Sequence, residues 1–71
     1  MYYLKFTIKD YTTKKVKEKV SNLYEDIETP INIMEKYLMQ QKNYIDIKKL
    51  ENHKILVIKN GGEILIEILN K

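Results

Sequence analysis

Residues 2–9 alternate between two kinds of side chain. Tyr2, Leu4, Phe6 and Ile8 would share one face of an extended chain, and the positions between them are mostly polar. A period of two is typical of a β-strand with one buried side. We therefore predict that the chain opens with a strand.

The next segment repeats its apolar residues at helical spacing. The stripe consists of Val16, Val20, Leu23, Tyr24 and Ile27. This pattern predicts an amphipathic helix that ends near residue 28. Its lysines come first and its carboxylates last, an order that opposes the helix dipole.

The dipeptide Thr29-Pro30 predicts the start of a second helix. Threonine is a favourable N-cap, and proline is favoured at the first helical position that follows. The apolar stripe of this helix contains Ile31, Met34 and Leu38. We expect the helix to continue to about residue 42.

The last third of the chain predicts three strands. Residues 44–48 alternate, with Ile45 and Ile47 expected to point inward. Two β-branched runs at 54–59 and 63–69 flank Asn60-Gly61-Gly62, which is typical of a β-hairpin. A three-residue turn would place Leu56, Ile58, Ile64, Ile66 and Ile68 on one face. The opposite face would then hold the aliphatic residues Ile55, Val57, Leu65 and Leu69.

These elements predict one α+β domain spanning residues 1–71. The expected order is β-α-α-β-β-β, with an antiparallel meander over 44–69, the first strand in the same sheet and both helices on one face. Aliphatic side chains on the outer face would form an unusual apolar patch, unless another element covers them. We predict that this patch binds a host protein or a second copy of the chain, in a homodimer. The predicted interface residues are Ile55, Val57, Leu65, Leu69, Tyr3 and Tyr44.

Composition narrows the possible chemistry. The chain contains no cysteine, one histidine (His53) and one serine (Ser21), so we predict no catalytic residues, no metal site and no cofactor. We also expect no small-molecule substrate. No apolar run reaches the roughly 20 residues that a membrane span requires. Lysines interrupt the apolar positions near the N-terminus, unlike in a signal peptide, and together with the lack of disulfides this predicts a cytoplasmic protein.

Nucleic-acid binding is the alternative prediction. Residues 1–20 carry six lysines against Asp10 and Glu18, a net charge of +4. A winged-helix arrangement would use residues 46–51 as a recognition helix and the Asn60-Gly61-Gly62 hairpin as its wing. The candidate contacts are Lys14, Lys15, Lys17, Lys48, Lys49 and Lys59. Every basic residue is lysine, and the absence of arginine argues against guanine readout.

Two resemblances bear on function. Asp10, after the first strand, resembles the metal-holding aspartate of ferredoxin-like small nucleases of CRISPR adaptation and toxin families, but we predict that it caps a helix. The small size and the bias toward lysine, isoleucine, asparagine and tyrosine resemble orphan accessory proteins of phages and mobile elements in AT-rich hosts. That resemblance implies an anti-defence inhibitor or regulator that occupies the surface of a host protein. We therefore predict a non-enzymatic protein-binding module.

Overall fold

The computed structural model describes residues 1–71 as a five-stranded sheet with one helix. The elements are β1 (Tyr2–Asp10), β2 (Val16–Val20), α1 (Glu28–Gln40), β3 (Tyr44–Leu50), β4 (Lys54–Lys59) and β5 (Gly62–Asn70). Every strand pair is antiparallel, and the strand order is β2-β1-β5-β4-β3. The two longest strands, β1 and β5, lie at or beside the centre of the sheet, whereas β2 and β3 form its edges.

The first predicted helix does not exist, so the predicted order β-α-α-β-β-β is wrong. Val16–Val20 instead forms β2, which pairs with β1 and places Val20 opposite Lys5. The Ser21 hydroxyl accepts a hydrogen bond of 2.8 Å from the Leu4 N–H and extends this hairpin by one position. The sequence Val-Lys-Glu-Lys-Val fits a period of two as well as a helical period. If this segment were a helix, the N–H and C=O groups on the outer side of β1 would have no strand partner. Pairing of β2 with β1 satisfies these groups and therefore favours the strand.

The second predicted helix exists as α1, but it begins two residues before Pro30. Proline is tolerated in the first turn because the N–H groups there lack partners within the helix. The Asp26 carboxylate accepts a 2.8 Å hydrogen bond from the Thr29 N–H. This bond lowers the pKa of Asp26, with a smaller contribution from the Thr29 side chain. Asp26 therefore accepts a hydrogen bond from an N–H group in the first turn of the helix, a role that the sequence pattern gave to Thr29.

The core lies between α1 and one face of the sheet. Leu4, Val57 and Ile66 are completely buried there, and Met34 contributes from the helix. The rings of Phe6 and Tyr37 meet at a centroid distance of 5.1 Å, and burial raises the pKa of Tyr37. The other buried core residues are Ile55, Ile64 and Ile68.

The β4–β5 hairpin exists as predicted, but its register differs. The turn contains two residues rather than three, because Lys59 pairs with Gly62 and Val57 pairs with Ile64. Gly61 has φ of +88°, which glycine adopts readily and which suits a two-residue hairpin turn. Shortening the turn by one residue moves every β4 side chain to the opposite face relative to β5. The predicted outer-face residues Ile55 and Val57 are therefore core residues.

Candidate protein-binding surface

The sheet face opposite α1 carries no helix, and we call it the open face. Residues that pair across neighbouring strands point to the same side of a sheet, so the register identifies its members. The three inner strands contribute Tyr3, Lys5, Thr7, Lys9, Lys54, Leu56, Ile58, Glu63, Leu65, Glu67 and Leu69. The edge strands contribute Val16, Glu18, Val20, Asp46, Lys48 and Leu50.

The centre of the open face is aliphatic. Leu65 lies on the central strand β5, opposite Leu56 on β4 and Thr7 on β1. Ile58 follows Leu56 on the same side of β4, and all three aliphatic side chains are half-buried. Since α1 packs on the other face, this burial comes from neighbouring side chains of the sheet itself. A continuous aliphatic centre on an uncovered sheet is a candidate contact surface.

Alternating charges surround this centre. Glu67 on β5 pairs with Lys5 on one side and Lys54 on the other, and its carboxylate lies 3.5 Å from the Lys54 ammonium group. Lys5 also lies 3.6 Å from the Glu18 carboxylate on β2. Each exposed ion pair adds at most about 1 kcal/mol to stability. Their main effect is to arrange positive charge on β1 beside negative charge on β5.

A second charged group lies at the start of β5. Glu63 is paired with Lys9 and accepts a 2.9 Å hydrogen bond from the Tyr11 hydroxyl. This hydrogen bond raises the pKa of Tyr11, with smaller contributions from desolvation and from the negative charge of Glu63. Tyr11 therefore holds the β1–β2 turn against the start of β5, where its N–H also donates to the Gly61 carbonyl at 2.9 Å.

The structure divides the predicted interface residues into three groups. Leu65, Leu69 and Tyr3 lie on the open face, and Tyr3 pairs directly with Leu69. Tyr44 lies at the start of edge strand β3 and is exposed. Ile55 is 6% exposed and Val57 is fully buried, so these two cannot contact a partner while the domain is folded.

Leu56 and Ile58 belong to the open face, although the sequence pattern placed them in the core. Their side of β4 depends on the length of the following turn, and both Asn60-Gly61 and Asn60-Gly61-Gly62 are acceptable hairpin turns. Charge pairing does not distinguish the two registers, because the observed one places Lys54 opposite Glu67 and the three-residue turn would place Lys59 opposite Glu63.

The structure separates the candidate nucleic-acid contacts. Lys14 lies in the β1–β2 turn with φ of +59°, and Lys15 and Lys17 follow it toward β2. Lys48 and Lys49 lie on β3 at the opposite edge, four strand spacings or roughly 19 Å away. Residues 46–51 continue strand β3 into a turn, so the recognition helix of the winged-helix interpretation is absent.

Asp10 and His53 both lie at turns between strands, and neither belongs to a metal-binding group. Asp10 does not cap a helix; its carboxylate accepts hydrogen bonds from the Thr12 and Thr13 N–H groups, at 2.8 and 3.3 Å, and so stabilises the β1–β2 turn. His53 lies in the β3–β4 turn with φ of +57°. No three histidine, aspartate or glutamate side chains lie close enough together to hold a metal ion.

The helix α1 has thirteen residues and an amphipathic sequence, and it is too short and too polar to cross a membrane. Comparison with protein-family models, curated proteins and solved structures finds no match to this chain. The architecture therefore defines a class only: a small α+β domain with an antiparallel sheet that is covered on one side.

Proposed function

We propose that this protein is a non-enzymatic protein-binding module of the cytoplasm. In this proposal it inhibits or regulates another protein by occupying its surface, as accessory proteins of phages and mobile elements do. The supporting observation is the open face, where Leu56, Ile58 and Leu65 form an aliphatic centre that no helix covers. An aliphatic centre with a polar border is the usual arrangement of a protein–protein interface.

The charge pattern indicates the kind of partner. Lys5 and Lys9 form a positive column along β1, and Glu63 and Glu67 form a negative column beside it on β5. A complementary partner would place acidic groups over β1, basic groups over β5 and an apolar side chain against Leu65. Five strands give a width of about 24 Å, so the face offers on the order of 600 Å², near the lower limit of stable interfaces.

A substitution at the centre of the open face tests this proposal. We expect Leu65→Asp to weaken binding to the partner by about 30-fold or more, because it places an unpaired charge where an apolar contact is required. The partner would be isolated from host extract with the wild-type chain, and its affinity for each purified variant measured by calorimetry. Circular dichroism would show that the variant remains folded.

Met39→Asp is the matched control. Met39 is 83% exposed on α1, on the other side of the molecule, so the same kind of substitution there should leave the affinity unchanged. Equal binding by Leu65→Asp and the wild type would contradict the proposal. Loss of binding by Met39→Asp alone would show that the partner binds the side of the molecule that carries α1.

The β1–β2 hairpin supports a second candidate function, the binding of nucleic-acid phosphates. All ten residues from 11 to 20 are exposed, and Lys14, Lys15, Lys17 and Lys19 lie among them. Four phosphate contacts would give a slope of about −3.6 for the logarithm of affinity against the logarithm of salt concentration. Such binding would be insensitive to base sequence.

Fluorescence anisotropy with duplex DNA across salt concentrations measures this slope. We expect replacement of Lys14, Lys15 and Lys17 by glutamine to reduce the slope by about 2.7. Replacement of Lys48 and Lys49, which lie at the opposite sheet edge, serves as the control and should leave it unchanged. The absence of any binding at low salt would rule out this function.

A further inference from the structure

Strand β3 is an edge strand with one unpaired side. The backbone N–H and C=O groups of its even-numbered residues point toward β4, where Lys48 pairs with Leu56. Because these groups alternate in direction along a strand, those of Ile47 point outward, away from the sheet. The Ile47 N–H accordingly finds no strand partner and donates to the Asp46 carboxylate at 2.8 Å. The outer side of β3 can therefore pair with another strand.

The side chains along β3 match a second copy of the same strand. In an antiparallel pair centred on Ile47, Asp46 of each copy lies opposite Lys48 of the other, and the two Ile47 residues face each other. Opposite charges directly across a strand pair stabilise it, and like charges destabilise it. The twofold symmetry repeats the Asp46–Lys48 match, so each dimer contains two such pairs.

We propose that the protein forms a homodimer in which β3 pairs with β3 of a second copy, giving a continuous sheet of ten strands. The two copies would contribute reciprocal hydrogen bonds between their Ile47 residues, replacing the bond to Asp46 and freeing that carboxylate for Lys48. The charge match covers residues 46–48, and a register irregularity between Tyr44 and Asp46 interrupts the strand beyond them.

The other edge strand does not offer this match. The sequence of β2, Val-Lys-Glu-Lys-Val, is symmetric about Glu18. Pairing two copies about this centre would place Glu18 opposite Glu18 and Lys17 opposite Lys19, so like charges would meet at three adjacent positions. This contrast selects β3 and also limits assembly to a closed dimer.

Charge exchange on β3 tests the proposal. Sedimentation equilibrium from low-micromolar to millimolar concentration should show the wild type shifting from 8.6 kDa to twice that mass. Asp46→Lys and Lys48→Asp should each weaken the dimer by at least about ten-fold, because both symmetric pairs become repulsive. The double variant Asp46→Lys/Lys48→Asp restores opposite charges and should recover the dimer. Glu18→Lys, the same charge reversal on β2, is the matched control and should leave it unchanged.

A wild-type chain that stays monomeric at millimolar concentration would overturn this proposal. So would a dimer that survives both single changes, or one that only Glu18→Lys disrupts. The dimer does not depend on the proposed function, because it uses the sheet edge rather than the open face. Leu65→Asp should weaken partner binding and leave the β3 dimer intact, which distinguishes failure of one proposal from failure of the other.

Discussion

Replacing Val57 with aspartate is expected to reduce the free energy of unfolding by about 4 kcal/mol or more. Val57 is fully buried on β4, where it pairs with Ile64 and has no polar neighbour among the core residues. A carboxylate there would lose its hydration without gaining a partner. Since a domain of 71 residues has a stability of roughly 4–10 kcal/mol, this substitution would remove a large part of the free energy of unfolding.

Leu56→Asp is the adjacent control, one residue earlier on the same strand. Its side chain reaches solvent on the open face, so we expect a loss of only about 1–2 kcal/mol. Urea denaturation followed by circular dichroism measures both values. If Leu56→Asp were the more damaging change, the two-residue turn and the face assignment that follows from it would be incorrect.

Gly62→Ala is expected to cost about 2–3 kcal/mol of stability. A Cβ atom at this position would lie 2.5 Å from the Lys9 carbonyl oxygen, which belongs to the backbone of the neighbouring strand. Relief would require β1 and β5 to move apart at their paired ends, where Asp10 pairs with Gly62. The nearby hydrogen bond from the Tyr11 N–H to the Gly61 carbonyl would be strained as well.

Gly61→Asn is the matched control for Gly62→Ala. A Cβ atom at Gly61 meets no atom within 4 Å, and asparagine tolerates the positive φ of +88° better than other residues with a side chain. We expect its cost to be below about 1 kcal/mol. Thermal unfolding of the two variants in parallel would measure the difference. A larger loss for Gly61→Asn would show that backbone conformation, rather than the close approach of β1, limits this turn.

The sequence pattern predicted the elements whose periodicity admits one interpretation. Residues 2–9 alternate, and Tyr2–Asp10 forms β1. The region after Thr29-Pro30 has a helical stripe over three turns and forms α1. In these segments the buried face and the secondary structure require the same arrangement of apolar residues, so local pattern and tertiary packing agree.

The segment Val16–Val20 shows where the pattern fails. Its two valines are four residues apart, a separation that suits one helical turn and also two steps along a strand. All five of its residues are exposed, so burial does not distinguish the two conformations. Hydrogen bonding to the free edge of β1 decides in favour of the strand, and β1 lies outside the segment whose pattern is ambiguous.

The sequence predicted that an apolar surface would lie on the outer face of the sheet, but it did not predict all of the residues that form this surface. The excess of isoleucine and leucine in the β4–β5 hairpin indicated that both sheet faces would carry aliphatic residues, and Leu65 and Leu69 lie on the open face as expected. Ile55 and Val57 lie in the core, and Leu56 and Ile58 lie on the open face, which is the reverse of the prediction. A turn that is one residue shorter moves every side chain of the strand to the opposite face of the sheet.

The sequence by itself determined that residues 2–9 and the last third of the chain form strands, that a helix follows Thr29-Pro30 and that the hairpin has apolar residues on both sides. These properties depend on local periodicity and on turn residues within a few positions of one another. Tertiary structure alone decided that Val16–Val20 is a strand, that β1 pairs with β5 and that α1 covers the face with Leu4, Val57 and Ile66. The physical reason is that backbone hydrogen bonds and buried area along the sheet are shared between residues far apart in the chain, so no local pattern contains them.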